Sequence, residues 1–386
     1  MLESPDTTDV LLVGGGVASV RCARTLRKEG FDGRIVLVGD EPVPPYNRPP
    51  LSKELLRDDL PDDLVLAEPE RWYERRNVLL LSGRRVVRLD PAARMATLDN
   101  GRRLEFERCL LATGAEPWAL RVPGGGDAML LRTLADARRL RAAAMAAERG
   151  APVVVIGGGF IGLEVASSLA TVGLRPTVIE LSDRLWSGSL GTLPAEWAFE
   201  RLEDAGITVR LGAAVSRVEP DAAWIGDERV GAAFVVAGIG VRPREAVAAE
   251  AGLEVRDGVL TDAGQRTSHP AVWAAGDVAR RDTRRIEHWH AAREGGERAA
   301  RSMLGLEIGP DPAPWLFSEV AGHALDVIGA VDPWREERWV DDGVVAYLDG
   351  PRLIGLAIMD AAMRVERARE LVEAGDADAL AEVSRG

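Results

Sequence analysis

Gly14, Gly15 and Gly16 follow the apolar run 10–13, and Gly157, Gly158 and Gly159 follow the apolar run 153–156. Each triplet leads into a segment with helical apolar spacing. Glycine allows the tight bend and lets backbone approach a ligand closely. The helix behind it aims unpaired N–H groups at that ligand. This is the chemistry of a pyrophosphate cradle. An acid about 20 residues on should take adenosine ribose hydroxyls, and both copies have one. Asp40 and Glu41 end the strand 34–38, with Asp40 the choice for the ribose; Glu180 ends the strand 177–179. Strand, glycines, helix, strand and acid, twice in order, imply two dinucleotides and electron transfer between them. Gly162 is the third glycine of the second copy, but Ser19 stands in that place in the first. The position governs helix–strand packing, so a small shift is expected there and not a loss of binding.

Other residues could carry chemistry. Lysine occurs only at positions 28 and 53 in a chain rich in arginine. Lys28 ends the first helix, where a cation suits the dipole. Lys53 follows Ser52, which reads as an N-cap, so its cation would oppose the dipole of a first helical turn. A compact ammonium can approach a ring nitrogen as a point charge, where a planar guanidinium fits differently; a solvent-facing lysine is the alternative. Gly276 and Asp277 close the strand that begins at Val272. An acid at a strand's C-terminal end lies where ligands bind in open α/β sheets, or it serves a turn. Cys22 and Cys109 are the two cysteines and form no close pair. They read as buried reduced thiols, which removes a dithiol relay and fits a reducing compartment. His288 and His290 flank Trp289, without the further ligands that a metal site would need.

The elements that must position these residues are those of an α/β protein. At 386 residues the chain has room for two or three domains. Its 46% hydrophobic and 28% charged content is that of an ordinary globular protein. A net charge of −13 argues against nucleic acid or an anionic membrane as main partner. No apolar run approaches the roughly 20 residues of a membrane helix, and no signal-like segment is evident, so a cytoplasmic location is expected. Strand–helix–strand units are predicted over 10–40 and 152–180. A stiff proline-rich loop covers 41–52. Short strands with an Asn100-Gly101 turn fill 84–106, a linker covers 118–127 and a helix covers 133–148. The strand from Cys109 runs into Ala112, Thr113 and Gly114, and the strand from Phe234 runs into Gly238, Ile239 and Gly240. The fingerprint-then-Gly-turn order thus repeats, as in an internal duplication. A helix-prone stretch is expected after Asp277. The segment from about 310 reads as strands 324–330, 343–347 and 352–357 with a terminal helix.

From about residue 8 to its end the chain resembles the FAD-dependent, NAD(P)H-linked ferredoxin reductases of oxygenase systems. These are the putidaredoxin reductase type, within the glutathione-reductase-like flavoproteins. The segment Pro45-Tyr46-Asn47-Arg48-Pro49-Pro50-Leu51-Ser52-Lys53 is similar to that family's PYxRPPLSK loop. The stretch 157–166, Ala275-Gly276-Asp277 and Pro314-Trp315-Leu316-Phe317-Ser318-Glu319 also match. Departures are Ala291 and Gly295 where many members carry Asn and Gln, Phe317 where tryptophan is common, and Glu319 where aspartate is common.

The resemblance implies two Rossmann-like dinucleotide-binding domains and a small C-terminal α/β domain. FAD would take 1–118 with 245–310, NAD would take 119–244, and 311–386 would cover the flavin and receive a protein partner. FAD contacts would come from Gly14, Gly16, Ala18, Asp40, Arg48, Lys53, Val86, Ala112, Thr113, Gly114, Arg132, Gly276, Asp277 and Trp289. NADH contacts would come from Gly157, Gly159, Phe160, Ile161, Gly162, Glu180 and Gly240. Lys53 would approach the flavin and pair with Glu164, and Phe160 would cover the flavin until nicotinamide displaces it. Phe160 and Glu164 are four apart on one predicted helix face.

The implied activity is NADH to FAD to a [2Fe–2S] ferredoxin that serves an oxygenase. Glu180 would favour NADH over NADPH, with Arg184 weakening that preference. Arg280, Arg281, Arg284 and Arg285 are candidates for a basic docking patch, or for a solvated charge run. Rubredoxin is an alternative acceptor. An NADH oxidase or peroxidase would need a redox cysteine near residues 41–53, where there is none. A redox-responsive signalling protein is a further alternative.

Overall fold

The two apolar runs ahead of the glycine turns become inner strands of two parallel sheets. The computed structural model describes residues 6–58, 60–281, 284–329, 336–377 and 380. The chain divides into two compact units. Unit 1 comprises 1–48, 61–116 and 241–311; unit 2 comprises 49–60, 117–240 and 312–386.

In unit 1, strand Asp6–Val13 lies between Ile35–Gly39 and Arg103–Leu111, parallel to both. Val78–Ser82 extends the sheet beyond Ile35–Gly39, and Val272–Ala274 joins the end of Arg103–Leu111, both parallel. The hairpin strands Val86–Asp90 and Met95–Leu98 complete it on the other side. Residues 10–12 and 35–37 are fully buried, as expected of strands covered on both faces. Helix Val17–Lys28 packs closely on helix Trp289–Met303 through small residues. A Cβ added to Gly296 would fall 2.2 Å from the Ala18 carbonyl oxygen. Beyond Asp277 the chain forms the short strand Ala279–Arg281 and not a helix; the next helix begins at Trp289.

Unit 2 holds the second parallel sheet, in the order Thr208–Arg210, Arg175–Ile179, Pro152–Ile156, Val235–Ala237, Met129–Leu130. Helix Leu134–Ala146 starts with a capping box between Thr133 and Asp136. The C-terminal region is a five-stranded antiparallel sheet with helix Val365–Ala374. One buried cluster joins Val320, Leu325, Val327 and Tyr347 of that sheet to Leu163, Leu169 and Trp186 of the dinucleotide fold. A strand His323–Gly329 stands where 324–330 was expected, Ala330 lying outside the described residues. Among the described residues no helix is long and apolar enough to cross a membrane.

The third fingerprint position differs between the copies. A Cβ on Gly162 would sit 2.0 Å from the Gly157 carbonyl oxygen. Ser19 already carries its Cβ, is fully buried, and has no hydrogen-bond partner for its hydroxyl. Gly162→Ala should therefore lower unfolding free energy by about 1–3 kcal/mol through overpacking. Ser19→Gly should stay within about 1 kcal/mol, the ordinary cost of glycine in a helix. Urea unfolding of the two variants checks the contrast.

Candidate active site

In unit 1 the first glycine turn is built as a cradle. Gly14 has φ +119°, and a Cβ there would lie 2.1 Å from the Ala112 carbonyl oxygen. Gly16 caps helix Val17–Lys28 with no side-chain hydrogen bond, and nothing lies within 4 Å of its added Cβ. The helix end thus keeps donors facing open space. Asp40 follows the neighbouring strand. Burial pushes its carboxyl up, but the hydrogen bond and charge of Arg244, with Arg85, hold it below its ordinary value. Glu41 is committed elsewhere: it accepts from Tyr46 Oη at 2.6 Å and from Arg48 Nη2 at 2.9 Å. Burial would lower the Arg48 guanidinium's pKa, but Tyr46 and Glu41 outweigh it and raise the value. Trp289 Nε1 donates to Asn47 Oδ1 at 3.0 Å. Thr113 Oγ1 donates to the Arg244 carbonyl at 2.7 Å. Gly276 has a positive φ, and its added Cβ would lie 3.3 Å from that of Ala18. Val86 is buried in its hairpin strand. Of the residues expected at FAD, Lys53 and Arg132 fall in unit 2 and the others in unit 1. The Arg132 N–H donates to Asp136 Oδ2 in the capping box.

In unit 2 the second cradle repeats the design. Gly157 has φ +109°, its added Cβ 2.4 Å from the Gly238 carbonyl oxygen. Gly159 caps helix Phe160–Thr171, again without a side-chain bond and with open space before it. Glu180 closes on this turn. Its Oε2 accepts from the Gly158 N–H at 2.6 Å and its Oε1 from the Ser182 N–H at 2.7 Å. Ile161 is exposed at the turn, as are Ile239 and Leu181 at the adjacent strand ends. Gly240 has φ +95°, and its carbonyl accepts the Trp118 N–H at 3.0 Å. Arg184 donates to Thr192 Oγ1. Trp186 is a residue that sequence reasoning missed. It is buried with φ +51°, donates its N–H to the Gly158 carbonyl, and holds the Phe160 ring 5.4 Å from its own. A lone tryptophan after the acid gives no sequence signal of this.

Also within unit 2, Lys53 Nζ lies 2.6 Å from Glu164 Oε1, and both residues are buried. Ser52 Oγ and Ser318 Oγ also donate to this carboxylate. The expected N-cap role of Ser52 is corrected. The residue ends the 3₁₀ turn Pro49–Ser52, its hydroxyl serves Glu164, and Lys53 itself is the N-cap of helix Glu54–Arg57. The lysine Nζ lies 5.7 Å from the centre of the Phe317 ring, within cation–π range. Ser318 is a second residue that sequence reasoning left without a role.

Cys22 and Cys109 are free and buried, and burial drives both thiols well above the usual range. Neither is half of a disulphide. Three arginines of the run 280–285 have acidic partners. Arg280 pairs with Asp257, Arg281 with Asp311, and Arg285 with Asp257 and Glu287. The Arg284 side chain lies outside what the structure describes.

Two donor-rich helix ends, each with a carboxylate at the next strand, define a protein that holds two dinucleotides. The chain belongs to the pyridine nucleotide-disulphide oxidoreductase family, whose model matches residues 8–296. It is 36% identical over 332 residues to the biphenyl dioxygenase system ferredoxin–NAD(+) reductase component of Paraburkholderia xenovorans (strain LB400), covering 83% of this chain and 80% of the relative. It is 32% identical over 336 residues to a rubredoxin–NAD(+) reductase of Pseudomonas putida, covering 83% and 86%. It superposes on the reductase of a covalent putidaredoxin reductase–putidaredoxin complex with TM-score 0.89, at 29% identity and full coverage of both chains. The chain is therefore an oxidoreductase, with FAD and NADH as its cofactors. The cradles at Gly14 and Gly157 fit such groups, since each leaves a helix N-terminus open beside a carboxylate.

Removing Glu164 should strand the buried Lys53 cation. Glu164→Ala should cost about 3–5 kcal/mol, and the double change Lys53→Met with Glu164→Leu much less; urea unfolding compares them. Asp40 offers a second check. Its depressed pKa makes its stabilisation complete above the ordinary carboxylate value and lost as pH falls through the folded one. Asp40→Asn should flatten the acid limb of stability against pH.

Proposed function

We propose that this protein is an NADH-dependent ferredoxin reductase. It would pass electrons from NADH through FAD to a [2Fe–2S] ferredoxin that serves an oxygenase, in the cytoplasm. One observation carries the reading. The chain has two dinucleotide cradles but only two cysteines, both buried and unpaired. Electrons that enter from a nicotinamide have no disulphide on the chain to receive them and must leave to an external acceptor. Relatives named as ferredoxin–NAD(+) reductase components support a ferredoxin as that acceptor.

In this reading 1–118 with 245–310 binds FAD, 119–244 binds NADH, and 311–386 receives the protein partner. Bound FAD supplies the conversion between two-electron and one-electron transfer. The chain supplies binding, orientation and charge. Gly14, Gly16 and Ala18 admit one pyrophosphate to a helix end, and Asp40 takes its adenosine ribose. Arg48, Val86, Ala112, Thr113, Gly114, Arg132, Gly276, Asp277 and Trp289 complete that site. Gly157, Gly159, Ile161, Gly162 and Gly240 admit the other dinucleotide. Glu180 accepts from its 2′-hydroxyl and repels a 2′-phosphate. Lys53, held by Glu164, supplies a fixed cation for the reduced flavin, and Phe160 gives way to the nicotinamide.

The rubredoxin reductase among the relatives keeps rubredoxin as the second reading. The test is NADH-dependent cytochrome c reduction by the purified protein, with a panel of [2Fe–2S] ferredoxins and with rubredoxin. Strong stimulation by a ferredoxin is expected. Stimulation by rubredoxin alone would select the second reading, and none by either would overturn both. Glu180→Ala should lower the ratio of kcat/KM for NADH over NADPH by about ten-fold, measured by steady-state kinetics with each nucleotide.

A further inference from the structure

Arg244 has no sequence signature, yet three groups of the first cradle converge on it. Its N–H donates to the Gly114 carbonyl at 2.9 Å. Its own carbonyl accepts from Thr113 Oγ1 at 2.7 Å, and its Nη2 donates to Asp40 Oδ2 at 2.7 Å. Thr113 and Gly114 leave strand Arg103–Leu111, and Asp40 leaves strand Ile35–Gly39. Between those strands lies Asp6–Val13, which delivers the glycine turn. Neighbouring strands are about 4.8 Å apart, so Arg244 bridges the exits of two strands about 10 Å apart at the ligand-binding edge.

A carboxylate suited to ribose hydroxyls also stands near a pyrophosphate that it repels. A guanidinium bonded to that carboxylate offsets the repulsion and brings a cation to the same edge. Arg244 holds Oδ2 at 2.7 Å, and Arg85 Nη2 lies 3.6 Å from the same oxygen, so the direct bond that fixes the carboxylate comes from Arg244. Glu41 cannot substitute, because Tyr46 and Arg48 occupy it.

We propose that Arg244 is a positioning residue for FAD, fixing the Asp40 carboxylate for the adenosine ribose and offsetting its charge beside the pyrophosphate. The proposal rests on FAD as the cofactor of unit 1, to which Arg244, the last residue of the segment 119–244, belongs by packing with the rest of 241–311. The test strips FAD from the protein and measures rebinding of FAD by quenching of its fluorescence. Arg244→Ala should raise the Kd for FAD by about ten-fold, and Arg244→Lys should recover part of that loss. In an Asp40→Asn background Arg244→Ala should add little, because the two act as one unit. Arg242→Ala is the control: Arg242 sits two residues earlier and pairs with Glu116 on the surface, so its removal should leave the Kd unchanged. Should stripped Arg244→Ala fail to refold, FAD release from the loaded variant is read instead, and it should be faster than from the parent. An Arg244→Ala protein that binds or holds FAD like the parent would overturn the proposal alone. A parent that binds no FAD would overturn the cofactor reading and the proposal together.

Discussion

A single buried carboxylate, Glu164, is the constraint around which unit 2 is arranged. Burying a charge is costly unless it is paired and hydrogen-bonded. Here Lys53, Ser52 and Ser318 all serve it. The serines stand 112 and 154 residues away along the chain. The next positions of the same helix fasten the same segments. Ser168 Oγ donates to the Ser52 carbonyl, and Ser167 Oγ accepts from the Ala321 N–H. Arg57 pairs with Glu319 and ties the two fastened segments to each other. The helix that carries these anchors, Phe160–Thr171, has Gly159 of the second cradle as its N-cap. The second glycine turn and the carboxylate that holds the buried lysine therefore share one helix, which suits a site whose geometry must be held without loops.

The two cradles solve one problem with different chemistry. Glu180 is held by two backbone N–H groups, which fix it without another charge. Asp40 is held by a guanidinium, which neutralises it in part. The third fingerprint position differs too. Gly162 allows its helix to close on the Gly157 carbonyl, while Ser19 keeps a side chain in the first copy. The duplication is of architecture, and each copy has its own electrostatics. In a family named for disulphide chemistry, the two cysteines of this chain are both buried and unpaired.

Local patterns were legible in the sequence. The glycines, the acids that follow them and the Asn100-Gly101 turn are each defined by neighbours within one supersecondary unit. Lys53 stood out because a lysine at a helix start is unusual in an arginine-rich chain. What could not be read depends on contacts across long separations. Ser52 looked like a cap because its local context is that of one, but the distant Glu164 takes its hydroxyl. Arg244 meets Asp40 across 204 residues. The partners of Arg280 and Arg281, Asp257 and Asp311, lie outside the run 280–285 and could not be read from it. The chain after Asp277 has helix-tolerant residues, yet pairing with Val259–Thr261 draws it into a strand. The grouping of 49–60 with 117–240 and 312–386 is likewise a product of packing.

With both cysteines buried and unpaired, electrons from NADH should leave the chain without a thiol intermediate. Anaerobic titration of the FAD-loaded protein with NADH, followed by flavin absorbance, tests this most directly. One NADH should complete the reduction of each FAD, and no further equivalent should be consumed. Uptake of a second equivalent, with Cys22 or Cys109 oxidised beforehand and reduced afterwards, would contradict it.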